Sequence, residues 1–164
     1  MKIVKFICLL GLLLPNQVLS KTADNEQPIH VEADSLEVRE NDNISIYTGD
    51  VKLTQGSLEI RSDRLTLYFD DNKILTLMKM AGSPATLKQL NDSDVVITGQ
   101  AMTIEYRESE STLLLFDKAK LTQGEDVIES NKIHFNIVSN NIEAGGAEPE
   151  NRVRMLIQPK QPTN

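Results

Sequence analysis

From Ile29 onward, apolar side chains recur at every second position in short runs. They include Leu36/Val38, Ile44/Ile46, Val51/Leu53, Leu58/Ile60, Leu65/Leu67/Phe69, Leu75/Leu77, Ile104/Tyr106, Ile133/Phe135/Ile137 and Val153/Met155/Ile157. A period of two places those side chains on one face of a strand and the intervening polar residues on the other. Turn formers punctuate the runs at Asn41-Asp42-Asn43, Thr48-Gly49-Asp50, Gln55-Gly56-Ser57, Asp70-Asp71-Asn72, Gly82-Ser83-Pro84, Asn91-Asp92-Ser93-Asp94, Gln123-Gly124 and Asn140-Asn141. No convincing amphipathic helix competes. The pattern predicts an all-β chain of antiparallel strands arranged as a sandwich, jelly roll or β-solenoid.

An internal repeat sharpens this expectation. Displacing the chain by 68 positions sets Lys52-Leu53-Thr54-Gln55-Gly56 on the identical Lys120-Leu121-Thr122-Gln123-Gly124. Without a gap, Ile60, Ser62, Arg64, Leu65 and Leu67 fall on Ile128, Ser130, Lys132, Ile133 and Phe135, and Leu36-Glu37-Val38-Arg39-Glu40 falls on Ile104-Glu105-Tyr106-Arg107-Glu108. Because the displacement is even, each matched side chain keeps its face, as two stacked copies of one sheet unit require. In both copies the apolar parity changes midway, from Leu58/Ile60 to Leu65/Leu67 and from Ile128 to Ile133/Phe135, which predicts a corner or bulge near Ser62-Asp63 and Ser130-Asn131. Two similar hairpins in an ordinary sandwich are the plainer alternative.

Stacked repeats leave an unpaired strand at each end, and such edges aggregate unless capped, charged or used for pairing. The opening segment Pro28, Ile29, His30, Val31 and the closing segment Arg152, Val153, Arg154, Met155, Leu156, Ile157 alternate apolar with polar groups, and both read as docking edges. Joining the last edge of one copy to the first edge of the next is a head-to-tail contact, which yields filaments when it does not close.

Charge and composition exclude several functions. Seventeen Lys and Arg against 24 Asp and Glu give a formal charge of −7, the wrong sign for a nucleic-acid partner. One Cys and two His cannot form a disulfide framework or a several-ligand Cys/His zinc site within one chain, and no metal or cofactor is expected. The N-terminus reads as a secretory leader: Lys2 and Lys5 precede an apolar run from Phe6 to Leu14 closed by Pro15, with a polar segment ending at Ser20. Nine residues fall short of the roughly 20 that cross a bilayer. Cleavage after Ser20 removes Lys2, Lys5 and Cys8, leaving a chain without cysteine at a formal −9. The expected organisation is a leader at 1–20, a flexible segment at 21–27, one β domain at 28–158 and a tail at 159–164.

The segments Gln27-Pro28-Ile29-His30-Val31-Glu32-Ala33-Asp34, Tyr47-Thr48-Gly49-Asp50-Val51-Lys52-Leu53-Thr54-Gln55-Gly56 and Leu58-Glu59-Ile60-Arg61-Ser62-Asp63 together resemble the OstA-like family. The likeness continues through Gly82-Ser83-Pro84-Ala85-Thr86, Thr98-Gly99-Gln100-Ala101 and Asn151-Arg152-Val153-Arg154, and departs from it at Leu87, where an aromatic is familiar, and in the acidic turn Asn91–Asp94. The resemblance implies an open β-jelly-roll in the Gram-negative periplasm whose copies stack head to tail as a bridge between the membranes. Lipopolysaccharide would move along its apolar interior. Implied partners are lipopolysaccharide through its lipid A acyl chains, further copies of the chain, an anchored OstA-like subunit of the inner membrane and the OstA-like domain of the outer-membrane translocon.

Each methylene kept from water is worth about 0.8 kcal/mol, so such a carrier needs a continuous apolar lane, which an incompletely closed two-layer roll supplies. The residues expected to line it are Ile29, Val31, Leu36, Val38, Ile46, Leu53, Ile60, Leu65, Leu67, Leu87, Ile104, Tyr106, Phe116, Leu121 and Phe135. Individually, each also fits plain sandwich core. The acidic balance implies that acyl chains enter while the phosphorylated head stays in solvent, with Arg39, Arg61, Arg64 and Arg107 as strand-face charges.

Two other readings compete with this one. An exported polysaccharide-active enzyme could draw a carboxylate pair from Asp34, Asp50, Asp63 and Asp117, yet these sit at bends, and sugar-stacking aromatics are sparse, with no Trp. His30 and His134 have no nucleophile motif beside them, so no catalytic residue is assigned. A membrane-anchored sister subunit of the same transport system would differ by keeping residues 1–20.

Overall fold

The computed structural model describes residues 26–91, 93–145 and 152–158; the expected leader and tail lie outside them. Ten strands form one antiparallel sheet: β1 (His30–Glu32), β2 (Ser35–Arg39), β3 (Ile44–Gln55), β4 (Leu58–Phe69), β5 (Leu75–Leu90), β6 (Val96–Arg107), β7 (Thr112–Gln123), β8 (Asp126–Asn136), β9 (Asn141–Ala144) and β10 (Arg154–Leu156). Strands β3 to β8 run as a meander, since each short turn can only return the chain beside the strand it left. The short β1 and β2 both pair with β3, and β9 and β10 both pair with β8, so each border is one strand broken in two.

All six long strands are interrupted at one level. Register shifts lie between Thr48 and Val51, Arg61 and Arg64, Ala81 and Ala85, Gln100 and Thr103, and Phe116 and Ala119, and the last of these faces the step from Lys132 to Ser130. The interruptions at Ser62-Asp63 and Asn131 are those the parity change predicts. They bend one sheet into two half-sheets whose inner faces meet in a single core. Gly99 shows how closely they meet: a Cβ added there would lie 3.3 Å from Leu115 Cδ2, which belongs to the opposite half. On β3 the crease needs Gly49, at φ +84°, because a Cβ would overlap the Asp34 carboxylate 2.2 Å away. The equivalent β7 residues Asp117 and Lys118 also have positive φ.

Beside the crease runs a row of small or short side chains, Val51, Ser62, Ala85, Ala101, Ala119 and Ser130, none more than 8% exposed. Their size lets the halves close. Farther out, Leu53, Ile60, Leu65, Met80, Ile104, Leu115 and Ile133 are at most 2% exposed and fill the gap. Burying each is worth about 1.5–3 kcal/mol.

The repeat survives in register. All ten β3–β4 pairs, from Ile44 with Tyr68 to Gln55 with Leu58, recur 68 residues later between β7 and β8. Pairings outside those hairpins repeat as well, Val31 with Leu53 as Gly99 with Leu121 and Met155 with Ile128 as Leu87 with Ile60, so the repeated unit extends beyond a hairpin.

The crease argument makes Ala101→Leu overpacking, at a cost of about 1–3 kcal/mol. Urea unfolding should show a lower midpoint at unchanged slope. A wild-type midpoint would mean that the halves do not touch there.

Candidate functional site: an apolar cleft between two half-sheets

At the rim away from the crease the half-sheets part. A cleft of about 200 Å³ opens there, walled by Ile29, Leu58 and Leu87 from one half and by Ile74, Leu75, Met78 and Tyr106 from the other, with Gln55, Gln89 and Glu108 as polar residues among them. Apolar walls and few polar groups suit a hydrocarbon chain, which offers nothing to hydrogen-bond. That volume is small beside a lipid that carries several acyl chains. The cleft therefore accepts part of an acyl chain unless the halves move farther apart. Burial pushes the Tyr106 hydroxyl above its ordinary ionisation range, and the nearby Glu108 charge adds to the shift.

Three of the expected lane residues, Ile29, Leu87 and Tyr106, line the cleft directly. Leu53, Ile60, Leu65, Leu67, Ile104, Leu121 and Phe135 form the core behind it, each at most 4% exposed, and Val31 packs on its margin. Leu36 and Val38 lie in inward-facing rows opposite Tyr47 and Ser45, but being on an open border they are 55% and 56% exposed.

Two expected residues are corrected. Ile46 and Phe116 face outward: Tyr47 and Ser45 are the inward residues of β3, and Leu113 and Leu115 those of β7. On these strands the crease inserts two unpaired residues, Gly49-Asp50 and Asp117-Lys118, so the parity does not flip as it does on β4 and β8. Ile46 is nevertheless buried on the outer face, and the Phe116 ring carries the Lys132 ammonium 5.6 Å from its centroid.

The cleft residues Leu58, Ile74, Leu75 and Met78 were not among those expected. Leu58 was legible as the partner of Ile60 in its run. Met78 was masked by the Leu75/Leu77 alternation, because a register irregularity at Thr76 turns Leu77 outward and Met78 inward.

Charges occupy the outer face and pair there. Arg39 meets Glu37 at 2.6 Å, Arg61 meets Glu59 at 2.8 Å, and Glu105 receives Lys79 at 3.1 Å and Arg107 at 3.3 Å. The Arg39 hydrogen bond lowers the Glu37 carboxyl below its usual range. Such exposed pairs add little stability, and they lie away from the cleft, whose charged wall residue is Glu108.

Tyr106 offers a spectroscopic reporter of the cleft. A phenol ionising above 10 should appear in an ultraviolet titration and vanish in Tyr106→Phe. Because the folded state favours the neutral phenol, its contribution to stability is present below the unfolded value near 10 and is lost as pH rises through the higher folded value. Loss of a component at or below 10 would place Tyr106 in water.

Residues 30–141 match the family described as LptA/(LptD N-terminal domain) LPS transport protein. The lipopolysaccharide export system protein LptH of Pseudomonas aeruginosa is 33% identical over 153 residues, covering 89% of this chain and 87% of that protein. The lipopolysaccharide export system protein LptA of Escherichia coli K12 is 27% identical over 141 residues, covering 85% and 76%. The crystal structure of LptH, described as the LptA-homologous periplasmic component of the lipopolysaccharide transport device of P. aeruginosa, superposes with a TM-score of 0.76 over 83% of this chain and 99% of that one. The creased ten-stranded sheet is thus the β-jelly-roll of a known group, and the chain belongs to the LptA/(LptD N-terminal domain) LPS transport protein family.

Proposed function

We propose that this chain is a periplasmic lipopolysaccharide carrier, released from its leader after Ser20, that shelters acyl chains between its half-sheets and stacks head to tail into a bridge between the two membranes. The observation that carries the reading is the apolar cleft where the half-sheets part, continuous with a core drawn from both inner faces. Exposing a dozen methylenes to water costs on the order of 10 kcal/mol, so a lane that keeps them dry removes most of the barrier to crossing an aqueous compartment. Passive burial suffices for this role, and the chain itself turns nothing over. The phosphorylated head remains in solvent, because a chain at formal −9 without its first 20 residues repels anions.

The unpaired borders support the stacking. Among the described residues one end of the sheet is β1 and the other β10, and neither has a partner strand on its outer side. The same edges fit an anchored OstA-like subunit at the inner membrane and an OstA-like domain of the outer-membrane translocon, which would cap the first and last copies by adding a strand.

Photocrosslinking amino acids at Leu87 and Tyr106 should capture lipopolysaccharide saturably, whereas Ile46 and Phe116 on the outer face should not. Equal capture from both faces would contradict an interior route, and a shortened glycan product would instead indicate catalysis.

A further inference from the structure

Most large apolar side chains left exposed among the described residues sit on the two borders, including Ile29, Leu36 and Val38 on one and Met155, Leu156 and Ile157 on the other. The borders also differ in charge. The stretch from Glu26 to Asp42 has six acids against the single Arg39, whereas the described residues of the second border, 141–145 and 152–158, have Arg152 and Arg154 against the single Glu143. A surface cleft of about 500 Å³, lined in part by Lys118, Lys120, Arg152 and Arg154, lies beside the second border on the outer face.

The internal repeat supplies a template for how these borders meet. Strands β5 and β6 are the seam between the two stacked copies inside one chain. The first border pairs with β3 as β6 pairs with β7: Val31 with Leu53 repeats Gly99 with Leu121, and Leu36 with Tyr47 repeats Ile104 with Leu115. The second border matches β5 in the same way, since Met155 with Ile128 repeats Leu87 with Ile60. Among the described residues, each border is thus one side of a β5–β6 seam without its other side.

Resting on the head-to-tail reading above, we propose that the junction between copies reproduces the β5–β6 register. Leu87 opposite Gly99 and Thr86 opposite Gln100 then become Met155 opposite Val31 of the next copy and Arg154 opposite Glu32 of the next copy. The outer row across the junction alternates in sign: Lys120, Glu129 and Arg154 are followed by Glu32 and Lys52 of the next copy. Lys120 and Glu129 already pair at 3.4 Å. Glu32 arrives beside the basic cleft, and a slip of two residues would replace it with His30. In the inner row, Ile128 and Met155 continue into Val31 and Leu53 of the next copy, so the apolar lane crosses the junction unbroken. Beyond the crease, Glu143 meets Glu37 of the next copy, whose charge Arg39 balances at 2.6 Å.

Paired cysteines in a Cys8→Ser chain test the register. Oxidation of Glu32→Cys with Arg154→Cys, or of His30→Cys with Leu156→Cys, should give a ladder of linked chains. The slipped combinations Glu32→Cys with Leu156→Cys and His30→Cys with Arg154→Cys should give at least about tenfold less, because directly opposite Cβ atoms are about 4.5–5.5 Å apart and diagonal ones about 7–8 Å. Ladders from the slipped pairs alone would overturn the register while leaving head-to-tail stacking intact. Unlinked, monomeric protein in every combination, with sedimentation showing no chains of the parent protein, would overturn the stacking itself. Independently, Glu32→Arg should weaken chain growth about tenfold, and adding Arg154→Glu should restore it. Failure of that rescue in a chain with unchanged circular dichroism would also count against the register.

Discussion

The structure depends on one backbone constraint: the long strands are interrupted at a common level, so one sheet must fold back on itself. A flat sheet of ten strands would expose its apolar face. Creased, it buries that face against itself, and the small row from Val51 to Ser130 sets how tightly the two halves meet. Packing is closest at the crease and loosens toward the opposite rim, where the cleft opens between Leu58 and Met78. The core and the candidate site are therefore one apolar surface seen at two depths, and stability near the crease is compatible with access at the rim.

Among the described residues, the same construction leaves two borders without a partner strand. A barrel abolishes edges by closing, but a creased sheet cannot close without losing its opening. Here the borders are repeat-related to an internal seam that already pairs, so the proposed junction between copies would reuse a pairing the chain already makes within itself. A lane confined to one chain spans only that chain's own length. Under the proposed stacking, repetition of the seam would extend it without any new kind of contact.

Much of this was legible in the sequence. The all-β class followed from alternation, the two stacked units from the 68-residue repeat, and the corners at Ser62-Asp63 and Ser130-Asn131 from the parity change on β4 and β8. Alternation could not reveal how many residues each corner inserts. One unpaired residue reverses a strand's faces and two restore them, so Ile46 and Phe116 were assigned inward when the paired insertions Gly49-Asp50 and Asp117-Lys118 turn them outward. Leu77 and Met78 exchanged roles for the same reason, through the irregularity at Thr76. Borders posed a different difficulty. Leu36 and Val38 have the right parity, yet no strand among the described residues covers them, and alternation reports which face a side chain takes without reporting whether its strand lies inside the sheet or on its border.

The central claim is that the rim between the half-sheets yields to admit hydrocarbon while the crease holds. Pulsed electron resonance between spin labels at Gln89 and Glu108, on opposite walls of the cleft, measures this directly. Saturating lipopolysaccharide should lengthen that distance while leaving unchanged a second pair placed across the crease, on Arg61 and Arg64. An unaltered Gln89–Glu108 distance in protein shown to be loaded with lipid would contradict the account.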